Sequence, residues 1–392
     1  MYKAALLLLG LLAAAGASAQ TTPATPYRFS ADIKASQQGE APARNQFAAW
    51  DYSRIGEHQA ALAAWDQDFG GRQTLAPADS QAFAASRPTD AVKYILEQAH
   101  TARVVIINEA HHNARHRVFA ASLLPRLARL GFRYFGAEGI DAADSLLNQR
   151  KYPVLRSGFY VTEPCYGNLL RSAASAGYRL FGYDAMPAGG PAARELAQAQ
   201  NIQKVLAADP KARVVIYCGF DHVNEGPRGM YGQPAMAARL RELTGIDPLT
   251  IDQTQLSESS VPTAGQPLYH RLQAQGSSVF VNVQEKGLHL VHAGKTADLS
   301  VYHPPTRYKA GRPDWLLTPG KKLVPVASKV NIAFPCLVQA YPVGEDASQA
   351  VPVDVVELES AQDTKALVLA RGAYMVLIRN RQGQTQTLTL NP

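Results

Sequence analysis

The feature that most constrains this chain is a regular alternation, across its middle, of short apolar runs with longer stretches of helical spacing. Apolar runs fall at residues 103–107, 134–137, 179–183 and 214–218, with further ones at 248–251 and 278–281. Between them, residues 115–130, 166–176, 192–208 and 234–243 carry apolar side chains at helical spacing, and a further helical segment is expected around 141–149. Strands alternating with helices predict βαβ units, and so an α/β fold with a mostly parallel β-sheet and flanking helices. The runs are apolar throughout, which fits strands buried on both faces.

The two ends follow other patterns. Residues 46–65 are helical in spacing, with Phe47, Trp50, Ile55 and Leu62 among the apolar positions, and residues 74–88 are weakly patterned. Asp90 is placed to cap a helix starting at Ala91. Beyond about residue 331 helical spacing disappears. Residues 353–358, 366–369 and 374–378 look like strands, and residues 385–390 alternate Thr with Gln or Leu, which predicts a small C-terminal antiparallel β unit. The expected divisions are a signal peptide at 1–19, a leader and N-terminal helical segment at 20–88, an α/β core at 89–330 and a β domain at 331–392.

The signal peptide rests on three features. Lys3 gives one positive charge, residues 4–15 form an apolar run, and Ala17-Ser18-Ala19 has the small-x-small form of a cleavage site. The run is too short to span a bilayer, and no later stretch is long and apolar enough to do so. The expectation is export to the periplasm or the medium, with no membrane span once the signal is removed. The formal charge is +7. It is carried by scattered Lys and Arg, which reads as a solvated surface and predicts no nucleic-acid partner. Cys165, Cys218 and Cys336 lack C-x-x-C spacing, and their odd number leaves at least one thiol unpaired. Cys218, at the end of an apolar run, is expected to be buried.

The chemistry is expected where the runs end. Glu109 follows the first, within Asn108-Glu109-Ala110-His111-His112. Glu138 closes the second and Asp184 the third. Asp221 and His222 close the fourth, in Gly219-Phe220-Asp221-His222. The carboxyl ends of parallel strands share one rim, where ligands bind. Imidazole can take a proton from water near neutral pH, and a carboxylate can orient it. His, Asp and Glu together can also hold a divalent metal with one position left for water. Each residue also has a plain reading. Asp184 could cap the following helix, and His116 and Arg117, inside a helix, could lie at the surface. No G-x-S-x-G, H-E-x-x-H, G-x-G-x-x-G or G-x-x-x-x-G-K-[ST] motif occurs.

At these residues the chain resembles the erythromycin esterase / ChaN-like superfamily, which includes TIKI-type proteases. Asn108-Glu109-Ala110-His111-His112 is similar to the family's Gly-Glu-x-His or Gly-Glu-x-x-His motif, with Asn in place of Gly. Glu138 matches the acid at the end of its second strand. Gly182-Tyr183-Asp184 and Gly219-Phe220-Asp221-His222 resemble two later motifs. The resemblance spans roughly residues 104–251 and implies an exported hydrolase that activates water with His and Glu to cleave an ester or amide. His112 or His111 would be the general base and Glu138 its partner, with Glu109, Asp184 and His222 completing the site. The substrate would be a small molecule or a peptide. The metal-dependent branch implies a metal, for which the candidate ligands are Glu109, His111, Glu138 and His222, a His and carboxylate set that suits zinc or manganese. The ChaN-like branch implies instead a haem or iron protein, with His111, His112 or Tyr217 as axial ligand. A third reading is a non-catalytic cell-envelope protein. Met230 and Tyr231, in the Gly/Pro-rich stretch after His222, are candidates for a lid over the site.

Overall fold

The computed structural model describes residues 25–71, 75–229, 232–261, 265–290 and 296–392. Residues 1–19, read from the sequence as a signal peptide, and Met230 and Tyr231, lie outside the described residues. Four helices come first: α1 (Ser30–Gln37), α2 (Arg44–Arg54), α3 (His58–Phe69) and α4 (Pro77–Ala84). The stretch read as one helix over 46–65 is therefore two. The break falls at Gly56, whose φ is +75°, in close contact with Arg312 and the Val355 carbonyl, where no side chain fits.

An eight-stranded sheet follows, made of β1 (Arg87–Asp90), β2 (Val104–Glu109), β3 (Tyr134–Ala137), β4 (Arg179–Gly182), β5 (Val214–Gly219), β6 (Leu249–Asp252), β7 (Ser278–Val281) and β8 (Leu299–Tyr302). Their order is β1-β7-β8-β6-β2-β5-β3-β4. From β8 to β4 every pairing is parallel, while β7 pairs antiparallel with β8 and β1 antiparallel with β7. The helices between strands are α5 (Ala91–Ala99), α6 (Ala114–Arg129), the short α7 (Leu147–Arg150), α8 (Pro164–Ser175), α9 (Gly190–Ala208) and α10 (Met236–Thr244). Asp90 caps α5 by accepting from the Lys93 amide at 2.7 Å. The helix expected around 141–149 is reduced to α7.

Two cores sandwich the sheet, and they explain the unbroken apolar runs. Val105, Ile107, Val215 and Tyr217 pack under α5, α6 and α8, while Val104, Ile106, Val214, Ile216 and Cys218 pack under α9 and α10. Successive side chains of a strand point to opposite faces, so both parities must be apolar when both faces are covered. All three cysteines are buried and unpaired, Cys218 among them. Among the described residues no helix is long and apolar enough to cross a membrane.

The C-terminal region is antiparallel. After a two-residue ribbon of β9 (Tyr308–Lys309) and β10 (Arg312–Pro313), β11 (Lys321–Pro325) pairs with β14 (Ala366–Ala370). β12 (Cys336–Pro342), β13 (Asp354–Leu358), β15 (Tyr374–Asn380) and β16 (Thr385–Leu390) form a four-stranded sheet in the order β13-β12-β15-β16. This unit is tied to the start of the chain. Leu337 and Val355 share a core with Tyr27, Phe29, Ile33, Ala49 and Ile55.

Candidate active site

Strand register brings the sequence candidates to one rim. Glu109 at the end of β2 is level with Gly219 at the end of β5, and Ala137 at the end of β3 is level with Tyr217 on β5 and Gly182 on β4. The residues just beyond these ends are Glu138, Phe220 to His222, and Asp184. They therefore meet at the carboxyl edge of four adjacent strands.

Glu109 is buried and fully engaged. Its carboxylate accepts from Arg117 Nε at 2.6 Å and Nη2 at 2.7 Å, from the Tyr217 hydroxyl at 2.7 Å, and from His111 Nδ1 at 2.8 Å. Burial alone would raise this carboxyl. The Arg117 guanidinium beside it, with His111, holds it instead down to about 2. Arg117 also bonds Glu163 at 2.8 Å and the His111 carbonyl at 2.7 Å. His116 and Arg117 are thus fully buried, not at the surface. His116 accepts the Ala110 amide at Nδ1 and meets Ser257 Oγ with Nε2, at 3.0 and 2.7 Å. Its Nε2 therefore carries the proton, so it cannot activate that serine.

With Nδ1 bonded to Glu109, Nε2 of His111 faces Glu138, 4.0 Å away. Two walls fix the ring. Tyr160 lies flat on it, with ring centres 3.8 Å apart and planes at 13°. On the other side stands Gly219, where an added Cβ would overlap the imidazole. The φ of Gly219 is −88°, which suits any residue, so the glycine is needed for space alone. Gly219→Ala is expected to push His111 off its line to Glu138 and to lower turnover by about a hundredfold, with the circular-dichroism spectrum unchanged. Turnover equal to wild type would show that the imidazole has room to move.

A second cluster faces the first. Glu138 accepts from the Gly219 amide and from Arg194 Nη2, the latter at 2.7 Å, and its Oε1 lies 3.6 Å from His222 Nε2. Arg194, on α9, is held by Asp184 at 3.1 and 2.9 Å and contacts His222 Nε2 at 3.1 Å. Asp184 does not cap α9; it also accepts from Gln198. His222 Nδ1 bonds Glu195 at 2.8 Å. Burial would lower the His222 imidazole, but Glu138 and Glu195 on its two nitrogens push it up to about 10. Its Nε2 is thus shared between Arg194 at 3.1 Å and Glu138 at 3.6 Å. Burial would likewise raise Glu138, and His222, His111 and Arg194 override that and hold it well below the usual carboxylate range. A shallow cleft beside His222, lined in part by Pro191, Ala192, Asp221 and Gln233, leads to this cluster.

His112 is not part of it. Its ring stacks on Trp65 at 4.3 Å, its Nδ1 has no hydrogen-bond partner among the described residues, and burial keeps it neutral. The structure thus brings together Glu109, His111, Glu138, Asp184 and His222 and sets His112 apart. Sequence reading missed Arg117, Arg194, Glu195 and Tyr160. A signal was present for two of them. Arg117 lies on the buried stripe of α6 with Ala120, Leu124 and Leu127, and Glu195 on that of α9 with Ala199, Ile202 and Leu206. A charge on an apolar stripe must have a partner inside.

The donor set does not fit a divalent metal. Glu109 is taken up by Arg117, and the charge at the meeting point of Glu138, Asp184 and His222 is already supplied by the Arg194 guanidinium. Among the described residues no group of three or more His, Cys, Asp or Glu side chains is arranged to hold a metal ion. Two of the three axial candidates for haem are closed off. The His111 ring is enclosed by Tyr160 and Gly219, and the Tyr217 hydroxyl is buried against Glu109.

No family model matches this chain. No curated protein matches it either. Similar solved structures include the type III effector HopBA1, at 14% identity and a TM-score of 0.33, over 56% of this chain and 97% of that one. RRSP, a MARTX toxin effector domain from Vibrio vulnificus CMCP6, is 16% identical with a TM-score of 0.31, over 59% of this chain and 54% of that one. The C-terminal region of Pasteurella multocida toxin, described as holding a thiol-protease-like catalytic triad, is 12% identical with a TM-score of 0.31, over 62% of this chain and 37% of that one.

Proposed function

We propose that this chain is an exported hydrolase of the erythromycin-esterase-like type, which cleaves an ester or amide of a small molecule or peptide with water activated between His111 and Glu138. The observation that carries this reading is the alignment of Glu109, His111 and Glu138. One imidazole nitrogen is locked on a carboxylate at 2.8 Å, and the other faces a second carboxylate at 4.0 Å. A water bonded to both spans that gap at ordinary hydrogen-bond lengths. His111 Nε2 takes one of its protons as the oxygen attacks the carbonyl carbon, while Glu138 holds the other. Glu109 stabilises the imidazolium that forms. The carbonyl π electrons move onto oxygen, where the Arg194 guanidinium, beside His222, meets the developing charge. Collapse of this intermediate breaks the bond to the leaving group, which takes the proton back from His111.

The test is turnover of a panel of carboxylic methyl esters and p-nitroanilides by chelator-treated protein and by Glu138→Gln. Hydrolysis is expected to survive the chelator and to fall by about a hundredfold or more in the variant. Equal turnover by variant and wild type, or none across the panel, would overturn the reading.

A further inference from the structure

Beside His111 lies a group of aromatic rings that water activation does not use. Phe47 and Trp50 come from α2, and Phe159 and Tyr160 from the turn before α8. Trp50 is the hub. Its ring meets those of Phe47, Phe159 and Tyr160 edge-on, at 5.3, 5.4 and 5.6 Å, and that of His111 at 6.3 Å. Phe159 and Tyr160 meet edge-on as well, at 5.3 Å. A packed core would cover such rings, yet Phe47 is 40% and Phe159 51% exposed. Large apolar rings that touch one another, stay open to solvent and adjoin a reactive group mark a binding surface.

The wall is also uncharged. Its neighbouring cation, Arg54, lies over the Phe159 ring at 4.7 Å and is neutralised by Asp51 at 2.7 Å. Burial, and then the charge of Glu138, push the Tyr160 hydroxyl up, so it remains a neutral phenol next to the charged cluster. The Trp50 indole N–H is buried and has no partner among the described residues. A carboxylate entering here would find the neighbouring Arg54 already paired with Asp51, and the place of a cation over the Phe159 ring is taken by Arg54 itself. An aromatic ring would extend the edge-to-face pattern already present, which favours it over an aliphatic group of equal area.

We propose that Phe47, Trp50, Phe159 and Tyr160 form the subsite for an uncharged aromatic ring carried by the substrate, one ring away from His111. The subsite deepens the hydrolase reading and takes its purpose from it, but its occupancy is read as binding at the start of mixing, and turnover is followed separately. The probes are methyl 2-naphthoate and methyl cyclohexanecarboxylate. Binding is followed by quenching of protein fluorescence and by calorimetry, in wild type, in Phe47→Ser/Phe159→Ser and in Val283→Ser. Val283 is an apolar surface residue, 81% exposed, outside this wall. Wild type and Val283→Ser are expected to bind the naphthoate more tightly than the cyclohexane ester. The double variant is expected to lose about tenfold in naphthoate affinity, with its urea unfolding midpoint close to wild type. Absence of naphthoate binding by wild type, equal affinity for the two esters, or unaltered binding by the folded double variant would each overturn the proposal. Methanol release in the same samples reports on hydrolysis separately. Ring binding that needs Phe47 and Phe159, without methanol release, would sustain the subsite and sink the hydrolase reading.

Discussion

His111→Ala is expected to lower hydrolysis by about a hundredfold or more, because it removes the group that takes the proton from water. His112→Ala should leave turnover per folded molecule close to wild type. The two residues are neighbours in sequence and opposite in setting. The first has a carboxylate on each side of its ring, while the second is stacked on Trp65 and bonds no acid among the described residues. Comparing kcat for the two variants, each normalised to the fraction folded by urea titration, decides between them. The assignment fails if His112→Ala is the inactive one, or if both are equally active.

Arg117→Met is expected to destabilise the fold by about 3–5 kcal/mol. The guanidinium bridges Glu109 and Glu163 where both are buried, so its removal leaves two carboxylates with no counter-charge. Adding Glu109→Gln to the variant should restore part of the loss, since one of those charges is then gone. The pH dependence gives an independent check. In the wild type the Glu109 carboxyl is depressed from 4.5 to about 2. Its contribution is therefore fully present above pH 4.5 and is lost as the pH falls toward 2. Without Arg117, burial raises the same carboxyl. Its contribution then changes sign, and acid should destabilise the variant less than the wild type. Urea midpoints at pH 7 and pH 4 measure both effects. Parallel losses in the two proteins would show that Arg117 does not set the charge of Glu109.

The parallel sheet was legible because its strands are apolar on both faces and end in polar residues. β2 and β5 read this way without help from any distant contact. β1 and β8 did not. The Arg-Pro-Thr-Asp of β1 is an edge strand with no apolar signature, and the four residues of β8 have their role only beside β6 and β7. The same division holds in the site. Glu109, Glu138 and His222 stand at strand ends, where topology alone predicts convergence. Arg194 and Glu195 arrive from the side of α9, and their place depends on how that helix is rotated on the sheet. Trp50 comes from a helix ahead of the βαβ repeat and Tyr160 from an irregular turn within the crossover from β3 to β4, so nothing local in the sequence ties them to His111. The choice between His111 and His112 rests on which imidazole the Glu109 carboxylate can reach, a matter of ångströms that spacing along the chain does not encode.

The shared core of the first helices and the last strands also governs the order of assembly. The Ser30 amide bonds the Glu357 carboxylate 327 residues further on, and Arg379 holds the Tyr27 carbonyl across 352 residues. Leu337 and Val355 complete the floor on which α1 and α2 rest. A chain that emerges from its N-terminus first can close its central sheet as the middle is made, whereas contacts this distant must wait. Trp50 and Trp65 then have no seat over the histidines until β12 and β13 have folded. A molecule interrupted before that point would hold its sheet and its acids but not the wall beside them. These strands are therefore the clock of the site: until β12 and β13 have been made and folded, the seats of Trp50 and Trp65 beside the imidazoles stay incomplete.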